Sequence, residues 1–144
     1  MTKFERSITI KAPVEKVFTY VSDPKNLPEI WPSLLEVKDV KDLPEHVGST
    51  YNWTYKMAGM RFEGTTEVTE FVPNKRTVVK DHGAIEGTRT ILLQPENGST
   101  KYTTIVEYTI PTPLLGKLAE RLIVKLNEHE GETVLANLKT RMET

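Results

Sequence analysis

The chain has 144 residues, of which 38% are apolar and 27% charged, and its formal net charge is −1. This length is typical of one domain with one sizeable core, so we predict a single domain over residues 1–144. The near-neutral charge argues against a disordered tail and against nucleic-acid binding. The absence of cysteine excludes disulfides, thiolate nucleophiles and cysteine-based zinc sites, and it suits a reducing cytoplasm, where we expect the protein to act.

The first residues alternate between polar and apolar side chains, which is typical of a half-buried strand and not of a secretory signal. Phe4, Ile8 and Ile10 fall on one face of this strand. No apolar run approaches the roughly 20 residues that a membrane-spanning helix needs. We therefore expect a soluble protein that does not insert into a membrane.

Two short helices are predicted after the first strand. Pro13 suits a first helical position, and apolar residues then recur at helical spacing, at Val14, Val17, Phe18 and Val21. Asp23 and Pro24 restart a second helix, which further prolines keep short.

From Leu34 to Ile110 the pattern predicts about six strands joined as antiparallel hairpins. The turn signals are Ala58-Gly59, Pro73-Asn74, Gly83-Ala84 and Asn97-Gly98. One strand has an apolar face of Tyr51, Trp53, Tyr55 and Met57, which alternates with Asn52, Thr54 and Lys56. We predict that this face is buried and that Trp53 points to the concave side of the sheet.

One long terminal helix is predicted from Leu114 to about Arg141. Its apolar stripe consists of Leu115, Leu118, Leu122 and Leu126. The same face then continues through His129, Glu130, Thr133 and Asn137, while apolar residues shift round to Val134, Leu138 and Met142. We therefore expect either a bend near Gly131 or two helix halves with different surroundings.

These elements predict an α+β fold in which a curved antiparallel sheet of about seven strands wraps around the terminal helix. A single helix of roughly 10 Å diameter does not fill the concavity of a twisted sheet, so a cavity should remain. Any one inward side chain is more often plain core, so the expectation rests on the architecture. The predicted ligand-binding residues are Trp53, Tyr55, Phe62, Val106, Tyr108, Leu118, Leu122, Leu126 and His129.

Three stretches of the sequence carry a resemblance to a known family. The opening SITIKAPVEKVFTYVSDPKNLPEIWPSLLEVKDV resembles the start of the polyketide cyclase/dehydrase branch of the START-like (SRPBCC, Bet v 1-like, helix-grip) superfamily. The stretch FEGTTEVTEFVPNKR is similar to the long fourth strand of that family, and IVEYTIPTPLLGKLAERLI to its last strand and terminal helix. The resemblance implies a helix-grip fold with a cavity between sheet and helix. The superfamily includes lipid carriers, hormone receptors, ubiquinone-binding proteins, cyclases and partners of larger assemblies.

The histidines and strand charges offer few candidates for catalysis. We expect His46 to be exposed in a loop and His82 to lie at a solvated hairpin tip beside Gly83. His129 lies at the cavity only if its helix face still points inward. Charged strand residues are expected to face water on the outside of the sheet, namely Arg61, Glu63, Glu67 and Arg89.

Familiar site motifs are missing. The sequence has no G-x-S-x-G, phosphate-loop or dinucleotide fingerprint and no HExxH or HxxxH spacing, so we predict no metal and no cofactor.

Three functions remain open. The first is binding of a small hydrophobic molecule such as a lipid, an isoprenoid or an aromatic polyketide. The second is a cyclase, aromatase or dehydratase acting on such a ligand, with a histidine or carboxylate as acid or base and Tyr55 or Tyr108 as proton donor. The third is a module that binds a protein partner, which a large exposed apolar patch would favour.

Overall fold

The computed structural model describes residues 2–109 and 117–144, and of residues 117–120 only the backbone. In chain order its elements are β1 (Thr2–Ile10), α1 (Val14–Ser22), a 3-10 turn (Pro24–Asn26), α2 (Leu27–Ile30), β2 (Leu34–Lys41), β3 (Thr50–Met57), β4 (Met60–Val72), β5 (Arg76–Gly83), β6 (Glu86–Glu96), β7 (Ser99–Thr109) and α3 (Lys117–Met142). The predicted strands and helices are confirmed. The predicted start of the last helix, at Leu114, lies outside the described residues.

The strands form one antiparallel sheet in the order β1-β7-β6-β5-β4-β3-β2. Consecutive strands from β2 to β7 pair as hairpins, as the turn signals predict. The φ angles of Ala58 and Gly59 are 53° and 77°, and those of Asn97 and Gly98 are 50° and 84°. Two consecutive positive φ values are the geometry of a type I′ turn, which suits the right-handed twist of a hairpin.

The edge strand β2 is irregular. Its pairing with β3 shifts register between Leu34 and Glu36 and again between Lys38 and Lys41. Asp39, inside the second shift, has a positive φ of 53°. Such bulges bend a strand and increase its twist, so β2 departs from the straight course of the strands beside it.

The apolar face of β3 is buried as predicted, with Tyr51, Trp53, Tyr55 and Met57 all under 9% exposed. Thr54, predicted to meet water, is buried too. Its short side chain lies between its cross-strand partners Glu36 and Glu63.

A glycine makes room for the Trp53 indole. Gly64 of β4 pairs with Trp53 on one side and with Gly83 on the other. A Cβ atom at position 64 would lie 2.3 Å from Trp53 Cζ2 and 2.4 Å from the His82 carbonyl oxygen. Because no side chain fits there, the indole packs directly against the backbone of β4.

Helix α3 is one continuous helix through Gly131, and its two halves have different surroundings, which is one of the two alternatives expected from the sequence. Its first half packs through Ile123 and Leu126 onto a second core cluster, together with Tyr51, Trp53, Tyr55, Met57 and Phe62. Its last turns belong to a first core cluster, made of Ile10, Ala12, Val14, Val17, Phe18, Ile30, Leu93, Tyr102, Val134, Leu135, Leu138 and Met142.

The predicted apolar stripe of α3 is partly wrong, because Leu126 packs onto the second core cluster but Leu122 does not. Leu122 is 51% exposed, whereas the neighbouring Ile123 is 2% exposed. Ile123, Val134 and Leu138 share the inward face, which is turned by roughly 100° from a stripe through Leu122. Leu115 lies outside the described residues, as does the side chain of Leu118.

Candidate ligand cavity

A cavity of about 140 Å³ lies between the sheet and α3. We call it the main cavity. Its volume is close to that of an apolar cavity of roughly 150 Å³ that binds benzene. The walls come from α1, α2, α3 and the sheet, and their residues are Phe4, Val21, Leu27, Ile30, Trp31, Leu34, Tyr51, Trp53, Tyr55, Asp81, Ile85, Arg89, Ile91, Tyr102, Thr104, Val106, Tyr108, Asn127, Gly131, Val134 and Leu135.

Four of the nine predicted ligand-binding residues lie on the wall of the main cavity, namely Trp53, Tyr55, Val106 and Tyr108. Phe62 and Leu126 pack in the second core cluster without reaching the wall. That any of these residues contacts a ligand stays a prediction.

The placement of Leu122 and His129 at the cavity is wrong, because both side chains are exposed. His129 follows the inward Asn127 by two positions, which turns it roughly 200° around the helix and away from the sheet. The side chain of Leu118 lies outside the described residues.

A nearly buried ion pair forms one polar part of the cavity wall. Arg89 of β6 donates from Nε to Asp81 Oδ2 at 2.8 Å and from Nη2 to Asp81 Oδ1 at 3.0 Å. Nη2 also donates to the Tyr51 hydroxyl at 3.1 Å, and Thr66 donates to Asp81 Oδ1 at 2.5 Å. The Arg89 guanidinium lies 5.5 Å from the centre of the Trp31 ring, within the range of a cation–π contact.

Burial acts to lower the pKa of Arg89, but the nearby Asp81 carboxylate and the Tyr51 hydroxyl outweigh it and raise that pKa above its ordinary value. The side chains of Asp81 and Arg89 are only 12% and 14% exposed. Arg89 is therefore a cation although it is largely shielded from solvent.

The expectation that Arg89 faces water is wrong, whereas the exposure of Arg61, Glu63 and Glu67 is confirmed. Arg89 pairs with Val79 across the β5–β6 hairpin, so Asp81 is its diagonal neighbour on the inward face. The i, i+2 relation of Arg89 to the apolar Ile91 was the sequence signal for this placement.

A chain of hydrogen bonds forms the other polar part of the wall. The Tyr55 hydroxyl donates to Asn127 Oδ1 at 2.9 Å, and Asn127 Nδ2 donates to the Tyr108 hydroxyl at 3.0 Å. Burial raises the pKa of Tyr55 and of Tyr108 above the usual range. Both phenols keep their protons at neutral pH, and Tyr108, which only accepts from Asn127, can donate its proton to a polar ligand atom. Asn127 follows Ile123 by four residues, which places it on the inward face.

Asn127→Ala is expected to lower the free energy of unfolding by about 1–3 kcal/mol, because two buried phenols would each lose a partner. Asn52→Ala is the matched control, since it removes hydrogen bonds to Asp39 and Thr65 on the exposed face of the sheet. Urea unfolding of both variants would test this. Equal small losses would show that water replaces Asn127.

Further hydrogen bonds hold α3 over the cavity. The Ser33 backbone N–H donates to Glu130 Oε1 at 3.0 Å, and the Ser33 hydroxyl donates to the other oxygen of Glu130. Two turns further on, Asn137 Nδ2 donates to the Ile30 carbonyl at 2.9 Å. These contacts tie the loop after α2 to α3 and fix the position of the helix.

The histidines lie away from the main cavity. His82 Nδ1 is 3.2 Å from Glu86 Oε2, and both side chains are more than 40% exposed, as expected at a hairpin tip. The side chain of His46 is 47% exposed, as predicted, and its ring stacks on Phe71. Among the described side chains, those of residues 2–109 and 121–144, no cluster of three or more His, Asp or Glu could hold a metal ion.

No helix in the part of the chain that the structure describes combines the length and the apolar character needed to cross a membrane.

Solved structures from several organisms share this fold. TTHA0849 from Thermus thermophilus has a TM-score of 0.84 at 20% identity, and the match covers 98% of this chain and 97% of that one. The Zhui aromatase/cyclase from a Streptomyces species has a TM-score of 0.85 at 12% identity, over 99% and 93%. A START superfamily protein from Mycobacterium smegmatis has a TM-score of 0.80 at 16% identity, over 98% and 97%. The helix-grip fold of the START-like proteins is thereby confirmed.

No curated protein matches the sequence. The model of a family described as "Polyketide cyclase / dehydrase and lipid transport" matches residues 1–143, which is nearly the whole chain. With seven strands curved around a terminal helix and a cavity between them, the chain belongs to this polyketide cyclase/dehydrase and lipid transport family.

Proposed function

We propose that the protein binds a small hydrophobic molecule in the main cavity. The observation that carries the proposal is the cavity wall, which is mostly aromatic and aliphatic with a few buried polar groups. Such walls are the usual chemistry of small-molecule sites. The family description, which names both polyketide cyclases and lipid transport, supports the same class of ligand.

The volume of the main cavity favours a compact ligand. About 140 Å³ suits one ring or a short branched segment, and lies below the roughly 300–1,000 Å³ common for drug-sized ligands. Of the three classes suggested by the sequence, an aromatic polyketide fragment or a short isoprenoid fits without rearrangement. A long acyl chain would have to widen the cavity.

Thermal unfolding with a panel of apolar ring compounds would test the proposal. A ligand that binds only the native state at 100 times its Kd should raise stability by about 2.7 kcal/mol. Val106→Phe is the control, because Val106 lies on the wall and a larger side chain there would fill the space. A panel without any shift in the natural protein would contradict the proposal.

Trp53→Ala is expected to weaken ligand binding. It should lower the free energy of unfolding by less than the roughly 3–5 kcal/mol typical of aromatic truncation in a filled core. Trp53 lines the cavity, so part of its surface already lacks neighbours. Phe62→Ala is the matched control, because Phe62 is buried in the same cluster but does not reach the wall. Phe62→Ala should cost more stability and leave affinity unchanged.

Denaturant unfolding and ligand titration on both variants would separate the two roles. A full core-sized loss with unchanged affinity in Trp53→Ala would show that Trp53 serves only as core.

A second candidate function is a cyclase, aromatase or dehydratase reaction on the bound ligand. The observation that favours it is that the protonated phenols of Tyr55 and Tyr108 and the carboxylate of Asp81 all lie at the same cavity. The Asp81 carboxylate could take a proton from a ligand carbon while a phenol protonates the hydroxyl on the neighbouring carbon, so that the C–O bond breaks, a C–C double bond forms and water leaves. Mass spectrometry of an aromatic polyketide incubated with the protein would reveal that loss, and Tyr108→Phe should abolish it. An unchanged ligand after long incubation would contradict this candidate.

Two expectations from the sequence stay predictions. One is that the protein acts in the cytoplasm, which fractionation of the producing cells would test. The other is that residues 1–144 form a single domain, which requires one cooperative unfolding transition.

A further inference from the structure

The main cavity contains a cation that is already neutralised. Among its described lining residues only Asp81 and Arg89 carry a charge. An arginine in an apolar cavity commonly anchors an acidic ligand, because its planar donors match a carboxylate. Here two of those donor contacts, at 2.8 and 3.0 Å, go to Asp81. A third contact, at 3.1 Å, goes to the Tyr51 hydroxyl.

The other ionisable groups near the cavity disfavour a ligand anion. Burial raises the pKa of Tyr55, and the negative charge of Glu130 raises it further. Burial likewise raises the pKa of Tyr102 and of Tyr108. The phenols are neutral at pH 7, so a carboxylate entering the cavity would lose its hydration and find no free cation among the described lining residues.

Two hydroxyl groups on the wall remain available to an uncharged ligand. Tyr102 and Thr104 of β7 point to the same side of the sheet and line the cavity. Neither side chain hydrogen-bonds to another side chain within 2–109 or 121–144. A hydroxyl both donates and accepts, so this pair suits a carbonyl or hydroxyl oxygen on an otherwise apolar ring.

We infer that Asp81 sets the charge selectivity of the site: by holding Arg89, it makes the main cavity accept an uncharged, ring-sized compound with one oxygen function and reject carboxylates, free fatty acids included. Asp81 is thus a specificity-determining residue. The inference rests on the proposed ligand-binding function and narrows its ligand class.

Three probes with equal numbers of non-hydrogen atoms separate the contributions of shape, polarity and charge. Cumene is apolar, acetophenone adds a neutral carbonyl oxygen, and benzoate adds a charge. Calorimetric titration of the natural protein at neutral pH should give acetophenone the highest affinity and benzoate an affinity at least about tenfold lower, since a desolvated charge without a free partner is costly.

Asp81→Asn tests the residue itself. The amide is close in shape to the carboxylate but carries no charge, so Arg89 becomes an unpaired cation at the cavity wall. Benzoate affinity should then rise at least about tenfold and overtake that of acetophenone, because a charge pair in a shielded site is strong. Glu70→Gln is the matched control: it removes an exposed carboxylate from the same sheet and should change neither affinity.

The pH dependence of benzoate binding to the natural protein tests the inference without a variant. If only neutral benzoic acid enters the cavity, the apparent affinity should rise about tenfold for each pH unit lowered between roughly pH 7.5 and 5.5, since carboxylic acids have a pKa near 4. Should Asp81→Asn not fold, this pH dependence still tests the rejection of carboxylates that the inference states.

Each outcome supports or overturns the inference. Benzoate binding as tight as acetophenone binding, a pH-independent benzoate affinity, or a folded Asp81→Asn variant without gain for benzoate would overturn it while leaving ligand binding intact. Failure of both cumene and acetophenone to bind would contradict the proposed function itself and the inference with it.

Discussion

Replacing Asp81 with alanine is expected to lower the free energy of unfolding by about 3–5 kcal/mol, the loss typical when one partner of a buried ion pair is removed. Arg89 would remain as a cation that is only 14% exposed, without its carboxylate. The hydroxyl of Thr66, which is fully buried, would lose its acceptor as well. The Arg89 guanidinium and the Thr66 hydroxyl would then stay buried without these hydrogen bonds, and their lost hydration would lower stability.

Glu70→Ala is the matched control for Asp81→Ala. Glu70 Oε1 lies 3.0 Å from Arg76 Nε, a separation close to the 2.8 Å of the Asp81–Arg89 pair. Both Glu70 and Arg76 are more than 40% exposed, so their pair should contribute less than about 1 kcal/mol. Urea unfolding of the two variants would compare them. Similar small losses would mean that water reaches Arg89 and that the pair is not shielded.

Leu138→Ala is expected to cost about 2–5 kcal/mol, because Leu138 is fully buried in the first core cluster and its truncation leaves a cavity. Leu122→Ala in the same helix should change stability by no more than about 0.5 kcal/mol, since Leu122 is 51% exposed. The two variants make the same chemical change, and leucine and alanine are both strong helix formers.

Thermal or denaturant unfolding of both leucine variants would therefore report burial more than helix propensity. If Leu122→Ala lowered the free energy of unfolding strongly and Leu138→Ala only slightly, Leu122 would be on the buried face, as the sequence predicts.

The strands and turns were predictable from the sequence because their signals are local. A glycine or asparagine at a positive φ marks a turn wherever it lies in the chain, as at Asn97 and Gly98. Alternation within β3 likewise predicts its buried face. Thr54 departs from the pattern because its burial depends on the neighbouring strands, which alternation within one strand does not describe.

The phase of α3 was not predictable in the same way. Leu122 and Ile123 are both apolar, and only the tertiary contact with β3 decides which of them turns inward. Because the predicted stripe passes through Leu122, the sequence pattern places His129 at the cavity and does not place Asn127 there.

The polar groups of the cavity were harder to predict for a different reason. Charged residues on strands usually face water, and Arg61, Glu63 and Glu67 do so. Arg89 is an exception because Asp81 lies diagonally across the hairpin and compensates its charge. Recognising that pair requires the register between β5 and β6, which the pattern of either strand alone does not contain.

The irregular edge strand β2 has a consequence for the behaviour of the protein at high concentration. An open, straight sheet edge offers unpaired backbone groups to other molecules and can start edge-to-edge aggregation. The two register shifts and the positive φ of Asp39 interrupt the regular row of such groups. Exposed charged side chains at Glu36, Lys38 and Lys41 also keep this edge hydrated. The bulges that bend β2 thus also protect this edge of the sheet against intermolecular strand pairing.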